Sequence, residues 1–180
     1  MGPERTSSYA ALVLFALAVP LYGESASAAD TYDGAYFKRV TLVVADMDRS
    51  LAVYRDILGF DLDGISESGP DSYSYPVFKI PAEAKIRFAT LSAGREQVRT
   101  LALTEVTGVE LPAPRTPLPS AAVIRVADIE AVFTEIEALG LETVDGRFID
   151  GREFDFHERA FIDPDGHLIV LYQVVDGGER

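Results

Sequence analysis

Apolar and polar residues alternate from Arg39 to Val44, and then the period changes. Val40, Leu42 and Val44 share one parity and Arg39, Thr41 and Val43 the other, the pattern of a half-buried strand. Beyond Ala45-Asp46, the residues Met47, Leu51, Tyr54 and Leu58 fall on one helical face. Asp46 offers a side-chain oxygen to cap the helix N-terminus, and Gly59 sits where a left-handed residue is wanted past its end. This stretch predicts a strand, a tight turn and an amphipathic helix. The chain then says it again: Ala121 to Leu141 reads AAVIRVADIEAVFTEIEALGL. Val44-Ala45-Asp46 returns as Val126-Ala127-Asp128, Leu51 and Tyr54 return as Phe133 and Ile136, and Gly140 closes the second helix. Two copies of one pattern predict a pseudo-symmetric pair of modules.

The remaining strands follow the same logic. In the first module, strands are expected from Phe60, over Tyr73 to Ile80, over Lys85 to Leu91 and over Val98 to Val106, with a loop at Ser66 to Asp71. Leu111 to Ser120, LPAPRTPLPS, carries too many prolines for a helix or a central strand and reads as an extended linker. In the second module, short strands are expected around Glu142–Val144, Phe148 and Arg152–Phe156. A further strand runs from Glu158 to Ile162 into the turn Asp163-Pro164-Asp165-Gly166, and His167 to Val174 closes the chain.

Composition narrows the function classes. The formal net charge of -13 opposes phosphate backbones and anionic lipid heads, so nucleic acid and membrane-surface partners are set aside. The absence of cysteine removes disulfides, thiolate metal sites and a cysteine nucleophile. At the N-terminus, Arg5, the apolar run Tyr9–Tyr22 and the small-residue site Ala26-Ser27-Ala28 have the layout of a secretory signal peptide over residues 1–28. The run is shorter than a spanning helix needs, so no stable membrane insertion is expected after processing. The expected location is periplasmic or secreted.

The stretches R-V-x-L-V-V-A-D-x-x-R-S-L-x-x-Y-R-D-x-L-G-F at Arg39–Phe60 and D-P-D-G-H-L-I-V-L at Asp163–Leu171, with the repeat between them, resemble the vicinal oxygen chelate superfamily. That family includes glyoxalase I, extradiol dioxygenases and the bleomycin- and fosfomycin-resistance proteins. The resemblance implies an α+β fold: two tandem βαβββ modules, residues 36–107 and 121–175 joined by the linker 108–120, forming a cup-shaped mixed sheet with helices on the convex side. In that arrangement Val40, Leu42 and Val44, and likewise Ala122, Ile124 and Val126, lie under the helices. Arg39, Thr41, Val43, Ala121, Val123, Arg125, Leu168, Val170 and Tyr172 face the cup. The modules either close one cup within a monomer or pair across a homodimer; both arrangements occur in the family.

The resemblance also implies a metal site, and here the chain departs from the pattern. The positions that hold metal ligands in metal-dependent members carry Arg39, Ala102, Ala121 and Val170. None of these side chains can ligate a divalent ion, so no metal or other cofactor is expected. His157 with Glu153 and Asp155 is the remaining metal candidate, against a solvated histidine in an acidic strand. Asp163 and Asp165 resemble a calcium pair, but a hairpin turn explains both. There is no glycine-rich phosphate loop, no Ser-His-Asp order and no close carboxylate pair, so no catalytic residue is assigned. The candidate ligand-binding residues are Arg39, Thr41, Phe88, Thr104, Arg125 and Tyr172. They suit a small, partly apolar anion held without metal. The alternatives are a lyase, isomerase or dioxygenase with an atypical mechanism, and a cup filled by its own side chains. A competing pairing of the arginines with Glu105 or Glu158 would leave no ligand role.

Overall fold

A computed structural model describes residues 37–149 and 155–175 of the chain. The segment 1–28 expected to be a signal peptide, and Glu153 of the metal candidate, lie outside the described residues. The unit that begins at Phe37 contains both modules. In the first, β1 (Val40–Val44) leads into α1 (Met47–Leu51), followed by β2 (Asp61–Glu67), a short α2 (Ser74–Phe78), β3 (Lys85–Ala93) and β4 (Gln97–Thr107). In the second, β5 (Ala121–Arg125) leads into α3 (Ile129–Ala138), β6 (Thr143–Ile149), β7 (Asp155–Ile162) and β8 (Leu168–Val175). The strand orders are β1-β4-β3-β2 and β5-β8-β7-β6. Each module's first strand pairs in parallel with its last, and the other pairs are antiparallel. These are two tandem βαβββ modules of the α+β class, as the repeat predicts.

The caps are where the sequence places them. Asp46 accepts from the Arg49 amide at 3.0 Å, and Asp128 from the Ala131 amide at 3.0 Å. Gly59 and Gly140 take φ of +75° and +71° beyond the helices, a conformation costly for a residue with a Cβ. The first helix differs from expectation in its winding. After Leu51 it widens into a π-helical stretch, Ala52–Ile57, in which the Leu58 amide reaches back five residues to the Val53 carbonyl at 2.9 Å. The wider turn buries Val53 together with Met47, Leu51 and Tyr54, which a period of 3.6 would not do.

One apolar core runs through both modules. Leu42, Val44, Met47, Leu51, Tyr54, Ala89, Leu91, Leu101 and Leu103 join Ile129, Phe133, Ile136, Phe161, Ile169 and Leu171 in a single cluster. Every strand residue in it has the parity that faces the helices. The turn Asp163–Gly166 then fastens the second module to the first. Tyr54 donates its hydroxyl to Asp163 Oδ2 at 2.7 Å, and the Ala45 amide and Arg49 Nη2 donate to Asp165 Oδ1 at 2.9 and 2.8 Å. His167 Nε2 donates to the Val43 carbonyl at 2.8 Å.

Three expectations about the elements are corrected. Tyr73 to Ile80 is not a strand: Ser74–Phe78 forms a helical turn. Pro76 lies in the first turn, where a missing amide hydrogen costs nothing, so the aromatic and β-branched alternation misleads there. In the second module, the fragments expected around Glu142–Val144 and Phe148 are one strand, β6, with a register shift between Val144 and Arg147. Gly146, inside that shift, reads as a break in the sequence. The fragments expected at Arg152–Phe156 and Glu158–Ile162 likewise lie on β7 as far as the described residues reach.

Candidate ligand-binding site

Strand parity separates the helix side of each sheet from its concave side. On β4, Leu101 and Leu103 enter the core, and Glu105 Oε1 accepts from the Met47 amide at the start of α1 at 2.8 Å. Ala102, Thr104 and Val106 therefore point the other way, into the concave face. They are nonetheless buried, at 0%, 0% and 2% exposure. Thr104 stands between Val43 on β1 and Phe88 on β3, and Ala102 between Thr41 and Thr90. The Arg39 guanidinium lies over the Phe88 ring, 5.8 Å from its centroid. Among the described residues the Thr104 hydroxyl has no hydrogen-bond partner.

The second concave face is more open. Val123 is 63% exposed, Arg125 is exposed, and Leu168, Val170 and Tyr172 are half-buried. Arg125 pairs in register with Tyr172, which also neighbours Glu158 and meets Phe156 edge-on at 6.3 Å. The six candidate residues thus fall into two sets. Arg39, Thr41, Phe88 and Thr104 share the first sheet, and Arg125 and Tyr172 the second. Among the described residues no hydrogen bond, ion pair or ring contact joins the two sets.

The acids proposed as competing partners are engaged elsewhere. Glu105 points to the helix side, where Arg87 grips it with Nε to Oε2 at 2.5 Å and Nη2 to Oε1 at 2.7 Å. The Arg87 hydrogen bonds hold its carboxyl below the usual carboxylate range, against the opposing effect of burial, and they raise the guanidinium in turn. Glu158 lies 3.9 Å from Arg147. Neither Arg39 nor Arg125 has a carboxylate within ion-pair distance among the described residues.

Three further features were not legible as such. His157 is not solvated: its side chain is 13% exposed, stacked on Phe148 at 4.4 Å, with Nδ1 3.5 Å from Glu130. Its parity places it under α3 beside Arg159, whose guanidinium lies 3.8 Å from the Phe133 centroid and binds Glu137 at 2.8 Å. Asp163 Oδ1 holds the hairpin turn by accepting from the Asp165 and His167 amides, as expected, while Asp163 Oδ2 and both Asp165 oxygens serve the contacts between modules. The linker also does more than span. With Gly166 and Leu168 it lines an open cleft of about 520 Å³, together with Pro112, Pro114, Arg115 and Leu118. Leu168 continues that lining onto the second concave face.

A family model described as the Glyoxalase/Bleomycin resistance protein/Dioxygenase superfamily matches residues 36–171. The chain belongs to that superfamily. Solved structures of this superfamily share the fold at low identity. A glyoxalase family protein from Bacillus cereus is 14% identical, with a TM-score of 0.63, over 81% of this chain and 98% of that one. The trypanothione-dependent glyoxalase I of Leishmania major is 20% identical, with a TM-score of 0.54, over 78% and 87%. A glyoxylase/bleomycin resistance protein/dioxygenase domain from Frankia is 15% identical, with a TM-score of 0.55, over 80% and 95%. No curated protein matches the chain in sequence.

Within the superfamily pattern, strand register supports the equivalence of the four ligand positions. Ala102 lies opposite Thr41, two residues after Arg39, as Val170 lies opposite Val123, two residues after Ala121. A methyl, an isopropyl and a guanidinium offer a cation no lone pair. No group of three His, Asp or Glu side chains able to hold a metal occurs among the described residues. The donors present at these positions do not fit a divalent ion. What the concave faces offer is one half-buried cation, one buried hydroxyl and apolar walls on the first sheet, and an exposed cation beside a phenol on the second.

Proposed function

We propose that the chain binds a small, partly apolar anion in its cup, without a divalent metal, and does so outside the cytoplasm. The observation that carries this reading is Arg39. A guanidinium in a concave, partly desolvated site needs an anion or water, and among the described residues no carboxylate lies within ion-pair distance of Arg39; Glu105 points to the opposite face, where Arg87 holds it. Its planar fork suits a carboxylate or a phosphate, and Phe88 beside it adds an apolar surface. Arg125 and Tyr172 supply a second, more open point of contact. Export is motivated by residues 1–28 alone. N-terminal sequencing of the natively expressed protein should find the chain starting near Ala29, and an intact Met1 in the cytosol would refute it.

A second reading has one observation in its favour. The burial of Ala102, Thr104 and Val106 is what a first cup filled by its own side chains would give. Calorimetric titration with phenylacetate separates the two. The binding reading expects saturable uptake without added metal, unaffected by a chelator and weakened by ~1.5–3 kcal/mol in Arg39→Ala, the range for hydrogen bonds to a charged group. Unchanged affinity in both Arg39→Ala and Arg125→Ala, or an absence of uptake, would overturn it. Native mass spectrometry of the protein purified from its source compartment would report any retained ligand or metal directly.

A further inference from the structure

We propose that the cleft between the linker and the turn Asp163–Gly166 is a second small-molecule site, that it takes an aryl carboxylate, and that filling it tightens the join between the modules. None of the six candidate residues of the cup lines this cleft, so the proposal goes beyond the reading above and does not rest on it. The cleft volume of about 520 Å³ lies within the ~300–1,000 Å³ of small-molecule sites. Pro112, Pro114, Leu118 and Leu168 give it apolar sides. A proline has no amide hydrogen, so this part of the linker offers a ligand ring faces in place of donors. Aromatic rings pack on such faces, as they do wherever proline-rich segments are recognised. The charge comes from Arg115. Among the described residues no carboxylate lies within ion-pair distance of it. The one acid in the lining, Asp165, is 5% exposed and already paired with Arg49 at 2.8 Å. The free charge of the cleft is therefore positive, in a chain whose formal net charge is -13, and a guanidinium fork fits a carboxylate.

The far side of the cleft is the join itself. Asp165 Oδ1 accepts from the Ala45 amide at 2.9 Å, and Oδ2 from the Ser50 hydroxyl at 3.3 Å. His167, which also lines the cleft, donates from Nε2 to the Val43 carbonyl at 2.8 Å. Between them Gly166 packs on Pro114 so closely that a Cβ there would overlap the proline ring. The linker thus rests on the turn, and the turn holds the end of β1 and the start of α1. A ligand lodged between the linker and Leu168 restrains the same turn from the other side. Whatever binds only the joined state stabilises the join, by linkage.

The probe is 2-naphthoate, whose fluorescence can be followed without an indole background because the chain has no tryptophan. In Arg39→Ala/Arg125→Ala, which lacks both arginines of the cup, 2-naphthoate should still bind saturably. Adding Arg115→Ala should weaken it about fivefold, the upper range for an exposed charge pair, and adding Arg115→Glu in its place should weaken it further. Amide hydrogen exchange reads the coupling. With 2-naphthoate at ten times its Kd, exchange of the Ala45 amide should slow about tenfold, because opening the join would empty the cleft. The Met47 amide, held within the first module by Glu105 Oε1 at 2.8 Å, should exchange as before. Binding to wild type that is lost in Arg39→Ala/Arg125→Ala would overturn the cleft site and leave the cup reading standing. Affinity unmoved by both Arg115 substitutions, or no binding to any form, would also overturn the site. Ala45 exchange that is unchanged, or slowed equally with Met47, would overturn the coupling.

Discussion

Tyr54→Phe tests the join between the two modules. The Tyr54 side chain is 0% exposed, and its hydroxyl donates to Asp163 Oδ2 at 2.7 Å. Asp163 is 3% exposed, and its other oxygen already accepts from the Asp165 and His167 amides at 2.9 and 2.8 Å. Phenylalanine keeps the ring in the core, so the transfer of apolar area is unchanged and only the hydroxyl is lost. What remains is a buried carboxylate oxygen without that donor. A hydrogen bond to a charged group is worth ~1.5–3 kcal/mol, and the variant should lose that much. With a urea slope of about 2 kcal/mol/M, the unfolding midpoint should fall by about 1 M. The alkaline limb gives an independent check. Burial, and then the Asp163 charge and hydrogen bond, raise the Tyr54 phenol well above its ordinary value. The neutral phenol's contribution is therefore complete below the unfolded value of ~10 and is lost as pH rises through the higher folded one. Wild type should weaken steeply in that range and Tyr54→Phe should not. A midpoint shift under about 0.2 M, or identical alkaline limbs, would refute the argument.

Two further substitutions test neighbouring parts of the fold. Glu105→Gln removes the Arg87 ion pair but keeps an acceptor for the Met47 amide; because Arg87 is 40% exposed, the loss near neutral pH should be only about 1 kcal/mol. The depressed Glu105 pKa means that its contribution is present above the unfolded value of ~4.3 and disappears as pH falls through the lower folded one, so the acid limb of urea stability should flatten in the variant, and an unchanged limb would contradict the assignment. Gly166→Ala forces a Cβ onto a φ of +90° and into the space held by Pro114, so it should lower the melting temperature and lift the linker. Trypsin cleavage after Arg115 should then accelerate, and an unchanged rate would show that the linker does not depend on this contact.

What could be read from the chain follows from which forces act locally. Alternation at Val40–Val44 and Ala121–Arg125 assigned the faces correctly, because one face of each strand is anchored by the shared core. The caps at Asp46 and Asp128 were legible for the same reason: a cap is a contact between residues three apart. The short α2 was not, since aromatic and β-branched residues satisfy either conformation until tertiary contacts choose. The π-helical stretch was hidden because it changes which residues face inward without changing which residues are apolar. At the candidate site, alternation put Arg39 and Thr41 on the face away from the core, whereas the placing of Phe88 beside Thr104 on that face comes from strand register, which no local pattern names. The roles of Asp163, Asp165, His157 and Arg115 depend on partners that no local pattern names, such as Tyr54 across the module boundary.

The two modules repeat where they build the core and diverge where they face the cup. Aligning Asp46 with Asp128 makes Val44 the counterpart of Val126, and Leu51 and Tyr54 the counterparts of Phe133 and Ile136, all within or packed against the core. On the concave faces the same alignment sets Arg39 against Ala121 and Val43 against Arg125, and strand register sets Thr104 against Tyr172. Each face has an arginine, but at opposite ends of its first strand, four residues or ~13 Å apart in the common frame. The first face is closed over a small hydroxyl and the second is open around a large phenol. A ligand with two equivalent ends would meet unlike environments at the two faces. The arrangement instead suits a molecule with one anionic end and one apolar end, or two different ligands, and the separate effects of Arg39→Ala and Arg125→Ala on a single titration distinguish these cases.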